Sequence, residues 1–196
     1  MKRWWWNFPG LFSPEVCQHV IKTGLTYKSQ EGLVNPEKGS PGKNQQEIRR
    51  STVRWLNRHD TRLEYFFKVL DQCIVDSNIN CFDFDLSGYR ELQFTEYNGD
   101  KEQKDHYDWH QDRLFDANDG TAQVRKLSLV VQLSDPRDYE GGDLHFQSPA
   151  VDLHKDAFSR QGSVVLFPSF TFHKVMPVTS GKRFSFVTWV CGPRWR

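Results

Sequence analysis

The stretch Lys126-Leu127-Ser128-Leu129-Val130-Val131-Gln132-Leu133 decides the fold class. Leu127, Leu129, Val131 and Leu133 fall on every second residue, with Lys126, Ser128, Val130 and Gln132 between them. A period of two sends the two sets to opposite faces of a β-strand. The same period appears on either side. Upstream, Phe82, Phe84 and Leu86 alternate with Asp83 and Asp85, and Leu92, Phe94 and Glu96 alternate with Gln93, Thr95 and Tyr97. Downstream, Phe184, Phe186, Thr188 and Val190 alternate with Arg183, Ser185, Val187 and Trp189. Gly141-Gly142 and Thr179-Ser180-Gly181 supply turn chemistry between the runs. Short alternating strands with Gly-rich turns predict an all-β sandwich or barrel over residues 79–192.

Ahead of the strands the period is helical. Ser13-Pro14-Glu15 starts a helix, with Ser as cap, Pro at the first helical position and an acid in the first turn. Val16, Cys17, Val20, Ile21 and Leu25 then give it an apolar stripe. A second helix is predicted over 61–77, opened by a Thr61/Glu64 capping box, with Leu63, Phe66, Phe67, Leu70, Ile74 and Val75 as its buried face. Residues 28–47 are polar and rich in Gly and Pro, which predicts a mobile loop. Ile48–Leu56 reads as a strand. The expected class is therefore mainly β (α+β), with residues 1–78 packing helices on one face of the β region. Residues 1–196 read as one domain without internal repeat.

Composition narrows the function. Lys plus Arg total 26 and Asp plus Glu total 25, so a broad basic surface for nucleic acid is excluded. No apolar run is long enough to span a membrane, and the N-terminus lacks the apolar core of a secretory signal. Cys17, Cys73, Cys81 and Cys191 show no C-x-x-C spacing, which fits reduced thiols and a cytoplasmic location. Aromatic residues make up 14% of the chain, including 7 Trp, so the core must be built largely from rings. Trp4-Trp5-Trp6 is either a stacking platform or the packing of a terminal segment.

Of the 7 histidines, His110 stands two residues from Asp112. On a strand such positions share a face about 7 Å apart, close enough to ligate one ion. His173, after the apolar run Ser163–Phe167, supplies a third donor. Two His and one carboxylate form a facial triad that leaves iron coordination sites open. Thr179-Ser180-Gly181 reads as a three-residue hairpin loop, which would set Pro177 against Arg183, Val175 against Ser185 and His173 against Val187. Arg183 would then share the face of His173 about 13 Å away, a span that suits a five-carbon diacid gripped by its guanidinium. His106 and His145 read as locally satisfied or solvent-facing.

The order His110-x-Asp112, His173, Arg183 resembles the 2-oxoglutarate-dependent Fe(II) dioxygenase superfamily, and within it the prolyl 4-hydroxylases and bacterial PKHD-type hydroxylases. The resemblance covers about residues 89–192. It is carried by Tyr107-Asp108-Trp109-His110-Gln111-Asp112, Lys126-Leu127-Ser128, Gln132-Leu133-Ser134-Asp135-Pro136, Tyr139–Leu144, Gly162–Ser169 and His173–Arg183. It implies a double-stranded β-helix, of jelly-roll or cupin-like type, with His110, Asp112 and His173 as metal ligands. It further implies Arg183, Tyr97 and Gln132 as contacts of 2-oxoglutarate, and Arg125 and Trp189 as contacts of the substrate. Tyr97, Gln132, Arg125 and Trp189 each also have a plain structural reading, as core ring, structural amide, solvated cation and barrel filler. Gln132 stands where several relatives have Tyr, and Val187 where some have Thr.

The implied cofactors are Fe(II), 2-oxoglutarate as co-substrate and O2, with ascorbate as an accessory. The implied reaction couples decarboxylation of 2-oxoglutarate to succinate with C–H hydroxylation. The expected substrate is a proline-containing peptide or protein. A free amino acid or other small molecule is the alternative, and a non-catalytic jelly-roll module a third reading. Neither a nucleic acid nor a membrane is expected as partner. The loop 28–47 resembles the lid of prolyl hydroxylases.

Overall fold

The computed structural model describes residues 4–32, 45–113, 123–147 and 158–195, with Gln45 and Arg90 described by backbone alone. The N-terminal half runs β1 (Trp6–Phe8), α1 (Pro14–Gly24), β2 (Gln30–Glu31), α2 (Gln45–Ile48), β3 (Arg49–Arg50), β4 (Thr52–Trp55) and α3 (Glu64–Ser77). The remainder is β5 (Gly88–Asn98), β6 (His106–His110), β7 (Gln123–Gln132), β8 (Tyr139–Gly141), β9 (Leu144–Phe146), β10 (Val164–Pro168), β11 (His173–Val175) and β12 (Val178–Pro193). Two antiparallel sheets form. The larger has the order β1-β10-β7-β12-β5-β4-β2, with β8 added at one end of β12, and the smaller the order β3-β6-β11-β9.

The alternation in β5, β7 and β12 has a direct structural meaning. Leu92 and Phe94, Leu127, Leu129 and Val131, and Phe186 and Val190 all join one apolar cluster with Cys17, Val20 and Ile21 of α1 and Phe66, Phe67, Leu70 and Ile74 of α3. The helices thus cover one face of the large sheet. The intervening residues face the small sheet across the sandwich, and that face carries the polar set, including Gln93, Tyr97, Arg183 and Ser185. Both faces are therefore buried, which removes any solvent-facing polar row. The rings do not form a single core. Phe94 and Phe186 lie under the helices, whereas Phe167 packs between the sheets with Val130 and Val165.

Ser13 caps α1, its hydroxyl accepting from the Val16 amide at 3.4 Å. The 61–77 prediction holds in extent, but the cap differs. Asp60, not Thr61, accepts from the Arg62 amide, because the first turn, Thr61–Leu63, is a 3-10 turn that displaces the cap by one residue. Trp6 and Phe8 pair with β10 and Trp5 packs edge-on against Phe158, so this cluster ties a terminal strand to the sheet. Trp4 remains 51% exposed.

Four expectations are corrected. Phe82–Leu86 is not a strand: Asn78–Phe82 continues α3 as a π-helical turn, closed by Asp83 in the left-handed region. Ile48–Leu56 is not one strand but two, broken at Ser51. β3 pairs with β6 in the small sheet and β4 with β5 in the large one, so the chain changes sheet there. Residues 28–47 are not loop throughout, since β2 and α2 occupy their ends, while 33–44 lie outside the described residues. Finally, Thr179-Ser180-Gly181 does not turn the chain. β12 runs through it, pairing with β8, and the change of sheet occurs between Val175 and Val178. His173 opposes His110 and Phe146, and Arg183 opposes Tyr97.

Candidate functional site

The small sheet brings the proposed metal donors together. His110 ends β6 and His173 opens β11, directly opposite it. Asp112 lies beyond the end of β6, so strand alternation does not place it. Its amide donates instead to the Ser169 carbonyl at 2.9 Å. One donor atom from each of His110, Asp112 and His173 lies within 4.8 Å of the others. The Nε2 atoms of His110 and His173 stand 3.7 and 3.6 Å from the two Asp112 carboxylate oxygens.

The two imidazoles are oriented by the same local device. Nδ1 of His110 donates to the Asp108 carbonyl at 2.8 Å, and Nδ1 of His173 to the Thr171 carbonyl at 2.9 Å. Each carbonyl fixes the tautomer that leaves Nε2 its lone pair toward the cluster, the arrangement a metal-binding histidine needs. Burial and then the neighbouring His173 push His110 down to about 3, so its ring is neutral. Burial would raise Asp112, but the adjoining imidazoles, Arg125 and a Ser128 hydrogen bond outweigh it and hold the carboxyl at about 2. Two imidazole nitrogens and one carboxylate oxygen fit a divalent iron.

Ser128 and Ser169 are supports that the sequence reading quoted only as motif. Ser128 Oγ donates to Asp112 Oδ2 at 2.7 Å and lies 3.0 Å from Ser169 Oγ. Both serines are fully buried. The available signal was a hydroxyl on the face of β7 that also carries Lys126 and Gln132.

The cluster opens on a cavity of about 680 Å³ between the sheets. Tyr97, Arg125, Arg183 and Trp189 all line it, as expected from the spacing of Arg183, Ser185, Val187 and Trp189 on one face of β12. Arg183 is 4% exposed and has no ion-pair partner among the described residues, and its guanidinium lies 5.6 Å from the Tyr97 ring centroid. Burial raises the Tyr97 hydroxyl, which therefore stays a hydrogen-bond donor. Arg125 is held by Glu91 and lies 3.7 Å from the Trp189 ring centroid. Among the described residues, Arg125 Nε and Trp189 Nε1 are buried donors without a partner. Tyr107 stacks on His110 with centroids 3.4 Å apart.

Gln132 stands apart. Its amide donates to the Ser134 carbonyl at 3.1 Å and the Tyr139 hydroxyl at 2.9 Å. It borders a smaller adjoining cavity of about 90 Å³, which also reaches Arg183. The ring nitrogens of His106 lie 3.1 and 2.9 Å from the carbonyls of Lys104 and Glu47, so one of the two accepts its N–H.

A model of the 2OG-Fe(II) oxygenase superfamily matches residues 92–191, which takes in all three clustered donors and Arg183. The chain belongs to that superfamily, whose members use Fe(II), 2-oxoglutarate and O2. Among curated proteins, a PKHD-type hydroxylase of Synechococcus sp. (strain CC9605) is 43% identical over 84 residues, covering 43% of this chain and 36% of that protein. One from Sphingopyxis alaskensis is 39% identical over 87 residues, covering 43% and 38%. The matched segment thus spans little more than a third of these relatives. Among solved structures, a Pseudomonas putida prolyl-4-hydroxylase superposes with a TM-score of 0.67 at 20% identity, covering 98% of this chain and 94% of that one. A prolyl hydroxylase from Trichoplax adhaerens, in complex with a hypoxia inducible factor peptide fragment, gives 0.70 at 16% identity, covering 95% and 83%. At these identities the oxygenase shares their double-stranded β-helix fold. No helix among its described residues is long and apolar enough to cross a membrane.

Proposed function

We propose that this oxygenase is an Fe(II)- and 2-oxoglutarate-dependent hydroxylase acting on prolyl residues of a peptide or protein. One observation carries the reading: the His110–Asp112–His173 cluster and the unpaired Arg183 guanidinium line the same buried cavity. His110, Asp112 and His173 would hold the iron, which supplies the oxidising power when bound with 2-oxoglutarate and O2. Arg183 receives the distal carboxylate of the co-substrate, and the neutral Tyr97 hydroxyl, across from it in register, donates to the same group. The apolar wall of Val130, Leu144 and Val187 excludes water from the reacting centre. Arg125 Nε and Trp189 Nε1 offer donors for substrate carbonyls. Trp55, Trp109 and Phe172, exposed at the rim, offer rings for a proline-containing chain.

The same chemistry on a free amino acid is the second reading. It is favoured by the burial of Trp189 and by the Arg125–Glu91 pair, which together make a closed end rather than an open groove. Succinate formation is the common test. Protein loaded with Fe(II) should convert 2-oxoglutarate to succinate, and His110→Ala should not. A panel of proline-containing peptides and free amino acids should then separate the two readings by which class stimulates turnover and gains one oxygen. Equal background succinate from wild type and His110→Ala sinks the enzyme reading.

A further inference from the structure

A second buried guanidinium lines the cavity, and nothing above uses it. Arg49 lies on edge strand β3, separated from His173 and β11 by β6. It is 7% exposed. Its Nε donates to Ser51 Oγ at 2.9 Å, and its guanidinium carbon lies 4.6 Å from the Tyr107 ring centroid. One terminal nitrogen, Nη2, is buried without any partner. The Ser51 hydroxyl supplies a hydrogen bond but no charge, and Arg49 has no ion pair among the described residues. A buried cation left in this state is costly unless a ligand completes it.

The surroundings are built around this side chain. The Gly32 amide donates to the Ser51 carbonyl at 2.8 Å. A Cβ on Gly32 would stand 2.3 Å from Ser51 Oγ and 2.7 Å from Arg49 Nε, so only glycine leaves room for the pair.

Charge accounting identifies what is missing. Of the other arginines lining the cavity, Arg125 pairs with Glu91 and Arg113 has a partner of its own; Arg54, outside the cavity, pairs with Glu96. Arg183 takes one carboxylate of the co-substrate, and the metal takes the other. Arg49 then lacks an anion. It lies over Tyr107, which stacks on His110, and it enters from the small sheet, whereas Arg183 enters from the large one; both guanidiniums act on the Tyr97 hydroxyl. We infer that Arg49 receives a carboxylate of the substrate, so that the molecule hydroxylated is an acid: a free amino acid, or a peptide with an acidic residue beside the reacting carbon. This rests on the Fe(II)/2-oxoglutarate reading above.

Binding tests it without turnover. Protein loaded with Zn(II), a redox-silent stand-in, is first titrated with 2-oxoglutarate by calorimetry. Once saturated, it is titrated with matched probes: the common L-amino acids against their carboxamides, and capped Glu-Pro-Gly against capped Gln-Pro-Gly. The carboxylate member of one pair should bind about tenfold tighter or more. The pair that responds tells a free amino acid from an acidic peptide. Arg49→Gln should erase that preference, Arg49→Lys should retain part of it, and neither should weaken 2-oxoglutarate. No carboxylate preference in any pair overturns the inference. So does a loss of 2-oxoglutarate affinity in Arg49→Gln matching that of Arg183→Gln, which would place Arg49 at the co-substrate end. Failure of wild type to bind 2-oxoglutarate in the first step removes the oxygenase reading itself, and this inference with it.

Discussion

His173 lies directly opposite His110 on adjacent antiparallel strands, and the Asp112 carboxylate closes the triangle from beyond the strand end. The histidines are thus held by sheet pairing, while the aspartate depends on what grips it after the chain leaves β6. Ser128 is that grip, through its 2.7 Å bond to Asp112 Oδ2. Ser128→Ala should weaken metal affinity about 10- to 100-fold, the range seen when a group orienting a ligand is removed. Competition with a chelator measures it, with thermal melting as a control for folding. Unchanged affinity would mean that the Ser169 carbonyl alone positions the aspartate.

Two members of the triad were legible because they are local, although Asp112 lies beyond the strand that the spacing assumed. H-x-D sits in one segment, and the strand periods around it survive in β5, β7 and β12. The route to Arg183 was not legible. A Thr-Ser-Gly triplet has turn chemistry, yet β12 runs through it because β8 supplies a hydrogen-bonding partner there. The expected outcome, Arg183 facing the same space as His173, holds for a different reason: two strands from opposite sheets converge on one cavity. Ser51 hid in the same way, since a change of sheet leaves no mark on a strand-like run. Arg49 has no sequence signal of its own, and only the fold turns it inward.

The Arg54–Glu96 pair offers a pH test away from the metal donors. Burial would raise Glu96, but hydrogen bonds from Lys182 and Arg54, at 3.1 and 3.0 Å, win and hold it below the ordinary carboxylate range. A depressed folded value stabilises the protein at pH above about 4.3, the unfolded glutamate value, and that contribution is lost as pH falls through the folded one. Glu96→Gln should flatten this part of the urea stability profile. It should also cost about 3 kcal/mol near neutrality, because Arg54 is left buried with its charge uncompensated. A parallel pH slope in the variant would count against the assignment.

Phe186 tests the helix-to-sheet contact. It is fully buried on β12, with Phe66 at 5.2 Å edge-on and Phe67 at 6.1 Å between ring centroids. Phe186→Ala should cost about 3–5 kcal/mol by chemical denaturation, from lost burial plus the cavity left behind. A cost below about 1 kcal/mol would show that α3 collapses into the gap.

Arg183 and Gln132 should separate cleanly, although the family resemblance puts both against the co-substrate. Arg183 is buried and lacks an anionic partner among the described residues, so its charge is free for a carboxylate. Gln132 already spends its amide hydrogens on Tyr139 and the Ser134 carbonyl. Arg183→Gln should therefore weaken 2-oxoglutarate binding to the Zn(II)-loaded protein about 10- to 100-fold, the worth of one charged hydrogen-bonded contact. Arg183→Lys should recover part of it, and metal affinity should not move in either. Gln132→Ala should instead lower the melting temperature, since it leaves a buried carbonyl unpaired, and should change 2-oxoglutarate affinity less than Arg183→Gln does. Calorimetry and thermal melting on the same samples decide it. A Gln132→Ala loss as large as that of Arg183→Gln would mean that the amide leaves Tyr139 and turns to the co-substrate when it binds.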